Sequence, residues 1–501
     1  MNRTRIFVHN AASTALLQAI TMISGFILPK IMMHVYGSEI NGLITSINQF
    51  ISTFNLVEAG ISAAAIYSLY KPIAEKNIKV INGIIVAAKN FYTKTGFIFV
   101  SLTIGLAFLY PLFVHTDLLS PFDIGILVLI LGVNGALEFF TLARYRVLLT
   151  ADQKTYVISL ASIVAIIFNI GIFAGAALGG CSIVIAKFLA LFSIFIRTIL
   201  LWGYCRIHYK FLDYHETPIP SALNRRWDAL FLQVLGIIHT SAPMIIATFL
   251  IDLKTVSVFA VYNLVALGLQ GILGIFTSGL AASFGDVIAR KELKTLQRAE
   301  SQFELSYYLL IAGTYGIAMV FIAPFIIWYT TGIHDTNYNQ PMIGFLLMLN
   351  GLLYNVKTPQ GMLVISAGLY RETRWQTTIQ GLIEIGAGIV LGHFWGVYGI
   401  LTGMILSNIY RDIDLPIFIG KYVTRVSPLI SFKRMIYIAV ITSAIYGLTF
   451  FVNIRSDTFL ELVVQGIFVS IYALAVTVIV TRIAEPETTK GIMNRIRFLR
   501  K

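Results

Sequence analysis

The stretch NQFISTFNLVEAGISAAAIYSLYKP, residues 48–72, decides the class of fold, because it is long and apolar enough to cross a membrane as a helix. A hydrocarbon core about 30 Å thick requires ~20 predominantly apolar residues in helical form. One acid, Glu58, lies near the middle of the stretch, between small and apolar neighbours. The sequence therefore predicts a membrane helix with an embedded carboxylate, and that carboxylate needs a reason to be there.

Apolar runs of similar length recur along the whole chain of 501 residues. Hydrophobic residues make up 57% of the sequence, charged residues 12%, and the mean hydropathy is +0.80. A soluble domain carries about twice that share of charge. Strands of a membrane β-barrel alternate in polarity over about 10 residues, which these runs do not. The composition predicts an all-α polytopic membrane protein without a soluble domain.

We place fourteen transmembrane helices in the sequence. The first run is too long for the apolar core of a signal peptide, so we interpret it as a retained span. The predicted spans are 11–35, 40–69, 84–114, 124–149, 156–178, 182–204, 230–250, 256–285, 303–330, 342–366, 376–394, 397–419, 435–452 and 460–481.

The net charge of +13 follows the topology rather than indicating a nucleic-acid partner. With the N-terminus inside, most of the 37 Lys and Arg residues fall in the inner segments, as the positive-inside rule requires. We expect a multi-pass membrane protein with both termini in the cytoplasm. Cys181 and Cys205 lie near opposite ends of one predicted helix, so neither a disulfide nor a cysteine metal site is expected.

An internal repeat at an offset of about 215 residues divides the chain. Pro29 matches Pro243, Asn48 matches Asn263, and Pro111 matches Pro324, in the same order along both halves. Two parallel six-helix halves of this kind often bind cargo between them in transporters. The predicted domains are an N-terminal half at 1–207, a cytoplasmic linker at 208–228, a C-terminal half at 229–425, and helices 13–14 with a basic cytoplasmic tail at 426–501.

Several cations lie at a depth where lipid would otherwise surround them. Charge at that depth is costly and usually faces a cavity or a partner. We predict that Arg197, Lys357 and Arg411 line a central cationic cavity that attracts an anionic cargo. Lys187 and Lys94 are further candidates, although their positions near span ends favour snorkelling to the interface.

Four acids are candidates for ion coupling: Glu58, Glu384, Glu138 and Asp412. A buried carboxylate can take and release a proton near neutral pH, or it can bind Na⁺. The alternative for Glu58 is an ion-paired or protonated residue that fixes helix packing. Apart from a coupling ion, H⁺ or Na⁺, we expect no cofactor and no metal.

Motifs of enzymes and ATP-driven pumps are missing from the sequence. It contains no G-x-x-x-x-G-K-[ST], HExxH, G-x-S-x-G or Cys-x-x-Cys. The predicted external loops are short, which argues against a membrane polysaccharide polymerase. We therefore expect a secondary transporter without catalytic residues.

The segment PKIMMHVYGSEINGLITSINQFISTFNLVEAGISAAAIYSLYKPIAEKN, residues 29–77, resembles the opening of bacterial polysaccharide repeat-unit flippases of the Wzx type. These belong to the multidrug/oligosaccharidyl-lipid/polysaccharide exporter superfamily. YGSEINGL and LVEAGISAAAIYSLYKP are the most specific blocks. Beyond residue 80 the resemblance lies mainly in the architecture.

The resemblance implies a flippase for an undecaprenyl-pyrophosphate-linked oligosaccharide, used to build capsule, exopolysaccharide or another surface polymer. It implies alternating access, a cationic cavity for the pyrophosphate, and a groove for the lipid tail beside spans 13 and 14. The expected partners are this substrate, membrane lipids, and a polysaccharide polymerase with other assembly proteins. A cation-coupled multidrug exporter of the same superfamily is the nearest alternative, and a membrane polymerase is the second.

Overall fold

A computed structural model of the protein describes residues 3–58, 61–223, 226–277, 280–452, 454 and 458–486. Helices account for all the regular secondary structure of these residues, which confirms the all-α prediction. The chain forms two compact units, residues 1–257 and 258–501. The basic tail beyond residue 486 lies outside the described residues, and the predicted boundary at 208–228 stays a prediction.

Unit 1 contains ten helices and the start of an eleventh, which continues into unit 2. Their bounds are α1 (Arg3–Tyr36), α2 (Ser38–Phe54), α3 (Ile61–Ala74), α4 (Ile78–Phe113), α5 (Pro121–Leu137), α6 (Ala143–Ala151), α7 (Thr155–Leu178), α8 (Ile183–Leu191), α9 (Ser193–His208), α10 (Arg226–Leu250) and α11 (Leu253–Thr277).

Unit 2 contains the rest of α11 and eight further helices. Their bounds are α12 (Leu280–Ala289), α13 (Leu293–Tyr329), α14 (Pro341–Val356), α15 (Thr358–Ala367), α16 (Arg374–Trp395), α17 (Val397–Ile419), α18 (Leu429–Gly447) and α19 (Phe459–Ala484).

Each of the predicted spans coincides with one or two of these helices. Within the described residues, nine helical stretches are both long and apolar enough to cross a membrane. The remaining helices are shorter or more polar, because a break or an embedded charge interrupts the apolar run. The structure thus supports a multi-pass membrane protein, and the count of fourteen crossings stays a prediction.

Several predicted spans are each divided into two helices, which sequence periodicity did not show, and two of these divisions carry an acid. The span predicted at 40–69 divides into α2, a 3₁₀ turn at Asn55–Glu58, and α3. The span predicted at 124–149 divides into α5, a π-helical turn at Glu138–Leu142, and α6. Glu58 and Glu138 therefore lie where the regular backbone hydrogen bonding changes, a common setting for functional residues.

One feature is common to the two units, while the predicted internal repeat stays a prediction. α4 and α13 are the long helices of their units, with 36 and 37 residues. Each carries an internal proline near its C-terminal end, Pro111 in α4 and Pro324 in α13.

In unit 1, hydroxyl and amide side chains join α10 to α2. The Ser46 and Thr248 hydroxyls lie 2.7 Å apart, and Gln49 Nε2 donates to Ser241 Oγ at 2.7 Å. Helices in lipid gain little from hydrophobic contact with each other, so such interhelical hydrogen bonds and close packing hold them together.

In unit 2, glycines allow α16 and α17 to pack with their backbones almost in contact. A Cβ atom on Gly403 would lie 2.6 Å from the backbone nitrogen of Gly388, and one on Gly399 would lie 1.9 Å from the Leu391 carbonyl oxygen. The GxxxG spacings 388–392 and 399–403 are thus packing motifs. By contrast, a Cβ on Gly175 would meet nothing within 4 Å.

We predict that Gly403→Ala lowers the thermal unfolding midpoint of the purified protein, because the new methyl group forces α16 and α17 apart. Gly386→Ala is the matched control, since a Cβ there meets nothing within 4 Å. Thermal unfolding in detergent measures both variants. Equal midpoints for Gly403→Ala and the wild type would show that the close approach is not required.

Candidate functional site

The carboxylate of Glu58 is held by donors from two helices of unit 1. Arg146 Nη2, on α6, donates to Glu58 Oε1 at 2.5 Å, and the Tyr92 hydroxyl, on α4, lies 3.3 Å from the same oxygen. The Glu58 side chain is 18% exposed. The apolar segment can contain this acid because the negative charge of Glu58 and the positive charge of an arginine on another helix neutralise each other.

A second carboxylate, Glu138, extends this arrangement into a chain of four charges. Arg146 Nη1 donates to Glu138 Oε1 at 3.3 Å, and Arg197 Nη1, on α9, donates to the same oxygen at 3.4 Å. We call Glu58, Arg146, Glu138 and Arg197 the unit 1 charge chain. It carries two acids and two bases, so it is neutral when all four are ionised.

The unit 1 charge chain is partly accessible to solvent. The Arg146, Glu138 and Arg197 side chains are 29%, 35% and 21% exposed. The Arg197 Nε atom is buried without a hydrogen-bond partner in the described residues. The unit 1 charge chain thus runs from a buried end at Tyr92 to a more solvent-exposed end. The Nε–H group of Arg197 is a hydrogen-bond donor that these contacts do not use.

The other two predicted cations of unit 1 lie apart from this chain. Lys94 is exposed on α4, and Lys187 Nζ, on α8, lies 4.5 Å from the centre of the Phe173 ring. Neither lysine has a carboxylate within ion-pair distance in the described part of the chain. Their predicted place in a cationic cavity stays a prediction.

In unit 2 the predicted site residues lie on α14 to α17. Lys357, at the junction of α14 and α15, donates from Nζ to Asn408 Oδ1 at 2.6 Å and covers the Tyr354 ring at 4.5 Å. Asn408 in turn donates to Asn350 Oδ1 at 2.8 Å. The side chains that hold the Lys357 ammonium in place through these contacts are therefore uncharged.

Asp412 follows Asn408 by one turn of α17 and is 4% exposed. Neither of its carboxylate oxygens has a hydrogen-bond partner in the described residues, and its electrostatic partner is Lys357. A buried carboxylate with so few hydrogen bonds is costly, and the nearby positive charge of Lys357 offsets part of that cost.

Arg411 and Glu384 have local partners. Arg411 forms an ion pair with Asp414 on its own helix and donates to Thr377 Oγ1, on α16, at 3.1 Å. Glu384, 2% exposed on α16, lies 3.5 Å from the Ser407 hydroxyl of α17. Arg411 therefore already has a carboxylate partner on its own helix.

The sequence analysis did not identify two arginines that each join helices within a single unit. In the sequence, Arg146 and Arg434 count only among the cations of the predicted inner segments, as signals of topology. Arg434, 2% exposed on α18, donates to Glu304 of α13 at 2.6 Å and to both oxygens of Glu485 after α19, at 2.8 and 2.9 Å. No local pattern links residues so distant in sequence, so nothing in the sequence identified either pairing.

We predict that Arg146→Met destabilises the protein by on the order of 3 kcal/mol, because it leaves Glu58 and Glu138 without their shared cation. Adding Glu58→Gln to Arg146→Met should restore part of the loss. Lys71→Met, which removes an exposed pair with Glu75, should cost less than about 1 kcal/mol. Denaturation in detergent measures all three variants, and a loss for Arg146→Met no larger than for Lys71→Met would contradict the importance of the chain.

No family model and no curated protein sequence matches this chain. Solved structures do match it. The lipid II flippase MurJ in an inward closed conformation has a TM-score of 0.68 at 15% identity, over 95% of this chain and 98% of its own. An inward-facing MATE family multidrug transporter has a TM-score of 0.61 at 13% identity, over 85% and 95%.

A MATE transporter from Vibrio cholerae, VcmN, has a TM-score of 0.57 at 14% identity, over 86% of this chain and 99% of its own. Such low identities show the fold alone. The chain has the fold shared by MurJ and MATE transporters, both of the multidrug/oligosaccharidyl-lipid/polysaccharide exporter superfamily. This confirms the predicted superfamily resemblance at the level of fold, and these similar structures are transporters rather than enzymes.

Proposed function

We propose that the protein is a flippase that moves an undecaprenyl-pyrophosphate-linked oligosaccharide repeat unit across the bacterial plasma membrane by ion-coupled alternating access. The repeat unit would serve the assembly of a surface polysaccharide, together with a polymerase and other assembly proteins. The fold supports a membrane flippase or exporter, and features within each unit favour an amphiphilic cargo with an anionic head.

The observation that carries the proposal is an apolar cavity of about 570 Å³ within unit 2. α13, α14, α17 and α18 supply its walls, including Leu349, Leu352, Ile409 and Ile438. Asp412 is the charged residue in the lining. An apolar cavity of this volume suits the long hydrocarbon chain of a lipid-linked substrate, whose anionic head would bind elsewhere.

Salt bridges hold the helix pair α18–α19 against α13, one of the helices that form this cavity. Arg434 on α18 is bonded to Glu304 on α13 and to Glu485 after α19, so both added helices are tied to the unit. Breaking such a buried network by removing one partner is costly. In our proposal this pair forms a fixed wall for the lipid tail.

For the pyrophosphate head we propose Arg197, Lys357 and Arg411 as ligands. The Arg197–Glu138 contact is long, at 3.4 Å, and Arg197 Nε has no partner. A phosphate oxygen could therefore accept from Arg197 without first breaking a short ion pair. Lys357 and Arg411 would have to exchange Asn408 and Asp414 for the cargo, which ties binding to rearrangement of their own contacts.

We further propose that Glu58 couples transport to H⁺ or Na⁺. Arg146 bridges Glu58 and Glu138, so neutralising Glu58 would shift Arg146 toward Glu138 and loosen the hold of Glu138 on Arg197. The unit 1 charge chain would thus transmit ion binding to a cargo ligand. Glu384 and Asp412 remain the candidates in unit 2.

We predict that Glu58→Gln removes the dependence of flipping on the ion gradient, because the amide keeps the size of Glu58 but cannot titrate. Flipping of a radiolabelled lipid-linked repeat unit in sealed vesicles measures this dependence. Glu75→Gln, which loses only an exposed pair with Lys71, is the matched control. Unchanged gradient dependence in Glu58→Gln would assign Glu58 to packing.

A multidrug exporter is the second candidate, and Asp412 favours it. A lipophilic cation would find both an apolar wall and an unsatisfied carboxylate in the same cavity. The MATE transporters that share this fold are also exporters. The two functions differ in what accumulates when the cavity is blocked.

We predict that Ala439→Trp stops flipping, because the indole fills the apolar cavity that Ala439 lines on α18. Ile436→Trp is the control, since Ile436 is 61% exposed on the same helix and does not line the cavity. In a host that depends on the variant, lipid-linked repeat units should accumulate on the cytoplasmic leaflet and surface polymer should fall.

Normal polymer together with lost resistance to cationic drugs in Ala439→Trp would replace the flippase with the exporter. Normal polymer and normal drug resistance would show that the cavity takes no part in transport.

A further inference from the structure

A second cavity, in unit 1, differs in chemistry from everything described above. It has a volume of about 370 Å³ and lies where α9 ends and the following loop begins. Its lining includes Trp202, Arg206, Tyr209, Lys210 and Tyr214. The volume is within the range of pockets that bind small molecules.

The charges around this cavity are of one sign. Arg206 and Lys210 line it, and no carboxylate does. Neither cation has an ion pair in the described residues; the Arg206 guanidinium lies only over the Trp202 ring, at 5.1 Å. Unpaired cations beside a concave surface attract an anion.

Further positive charge lies directly behind the wall of the cavity. The Arg144 guanidinium lies 4.8 Å from the Tyr145 ring and 5.0 Å from the Tyr214 ring, and Lys89 Nζ lies 5.3 Å from the Tyr214 ring. Arg144 Nε is buried without a hydrogen-bond partner in the described part of the chain.

The neighbouring acids already have partners. Asp152 accepts from the Tyr209 hydroxyl at 2.5 Å and pairs with Lys154 at 2.9 Å. Asp213 accepts from the backbone nitrogen of His215 and is not part of the lining. The positive charge of the cavity is therefore not neutralised from within unit 1.

The aromatic side chains add a second kind of recognition. Trp202, Tyr209 and Tyr214 can present ring faces or hydroxyl groups to a ligand, and aromatic rings pack well against other rings. Burial raises the pKa of Tyr214 to about 12, so its hydroxyl keeps its proton at neutral pH and can donate.

We propose that this cavity binds a phosphate-bearing headgroup that carries a polyhydroxylated ring, a sugar phosphate in the simplest case. Arg206 and Lys210 would bind the phosphate, and Trp202 would pack against the ring. The source of this chemistry is either a soluble or cargo-borne sugar phosphate or the phosphate headgroup of an anionic membrane lipid. The site goes beyond the proposed flipping activity, because binding can be measured without transport.

The test uses the full chain in nanodiscs of phosphatidylcholine, titrated with glucose 1-phosphate. Calorimetry reports binding, and a ligand-induced change in tryptophan fluorescence that is lost in Trp202→Phe reports contact of Trp202 with the sugar ring. We expect the double variant Arg206→Gln/Lys210→Gln to bind about tenfold more weakly or worse, since two charge-assisted contacts are lost. The matched control is Lys76→Gln/Lys79→Gln, which removes two exposed lysines of the same unit.

Inorganic phosphate should compete with glucose 1-phosphate, and uncharged glucose should not. If nanodiscs with phosphatidylinositol suppress binding of glucose 1-phosphate only in proteins with intact Arg206 and Lys210, the lipid headgroup is the source. If they do not suppress it, the sugar phosphate is the source. The proposal would be overturned if neither glucose 1-phosphate nor the lipid headgroup bound. It would also be overturned if the wild type and the double variant bound glucose 1-phosphate equally.

Discussion

The high free energy of a charge placed among apolar helices is the constraint on which this structure depends. Each embedded acid or base must be neutralised, hydrogen-bonded or wetted. In unit 1, Arg146 meets this requirement for both Glu58 and Glu138. In unit 2, Arg434 does so for Glu304 and Glu485. The same contacts that neutralise the charges also fix the positions of the helices that carry them.

Irregular backbone lies where these charges lie. Glu58 ends a 3₁₀ turn, Glu138 begins a π-helical turn, and Lys357 separates two helices. Inside a membrane protein, non-helical backbone is tolerated where it is buried in protein or faces water. The breaks therefore indicate which parts of each unit are shielded from lipid, and they turn polar side chains toward neighbouring helices rather than toward hydrocarbon.

Each unit contains a cavity, and the two cavities differ in chemistry. One is apolar, lies within unit 2, and has Asp412 at its wall. The other is aromatic and basic, lies at the end of α9, and has Arg206 and Lys210 in its lining. The first suits a hydrocarbon chain and the second suits a phosphorylated ring.

The sequence by itself determined the helical class, the approximate position of the apolar segments, and the presence of the acids Glu58, Glu138 and Glu384 within them. These features follow from hydropathy and spacing along one chain. Only the tertiary structure decided the partners. In the sequence, Arg146 and Arg434 look like positively charged residues near the inner ends of predicted spans. In the structure, each binds carboxylates that are distant in sequence. Such pairs depend on how helices rotate and pack, and a one-dimensional pattern does not record the rotation of one helix against another.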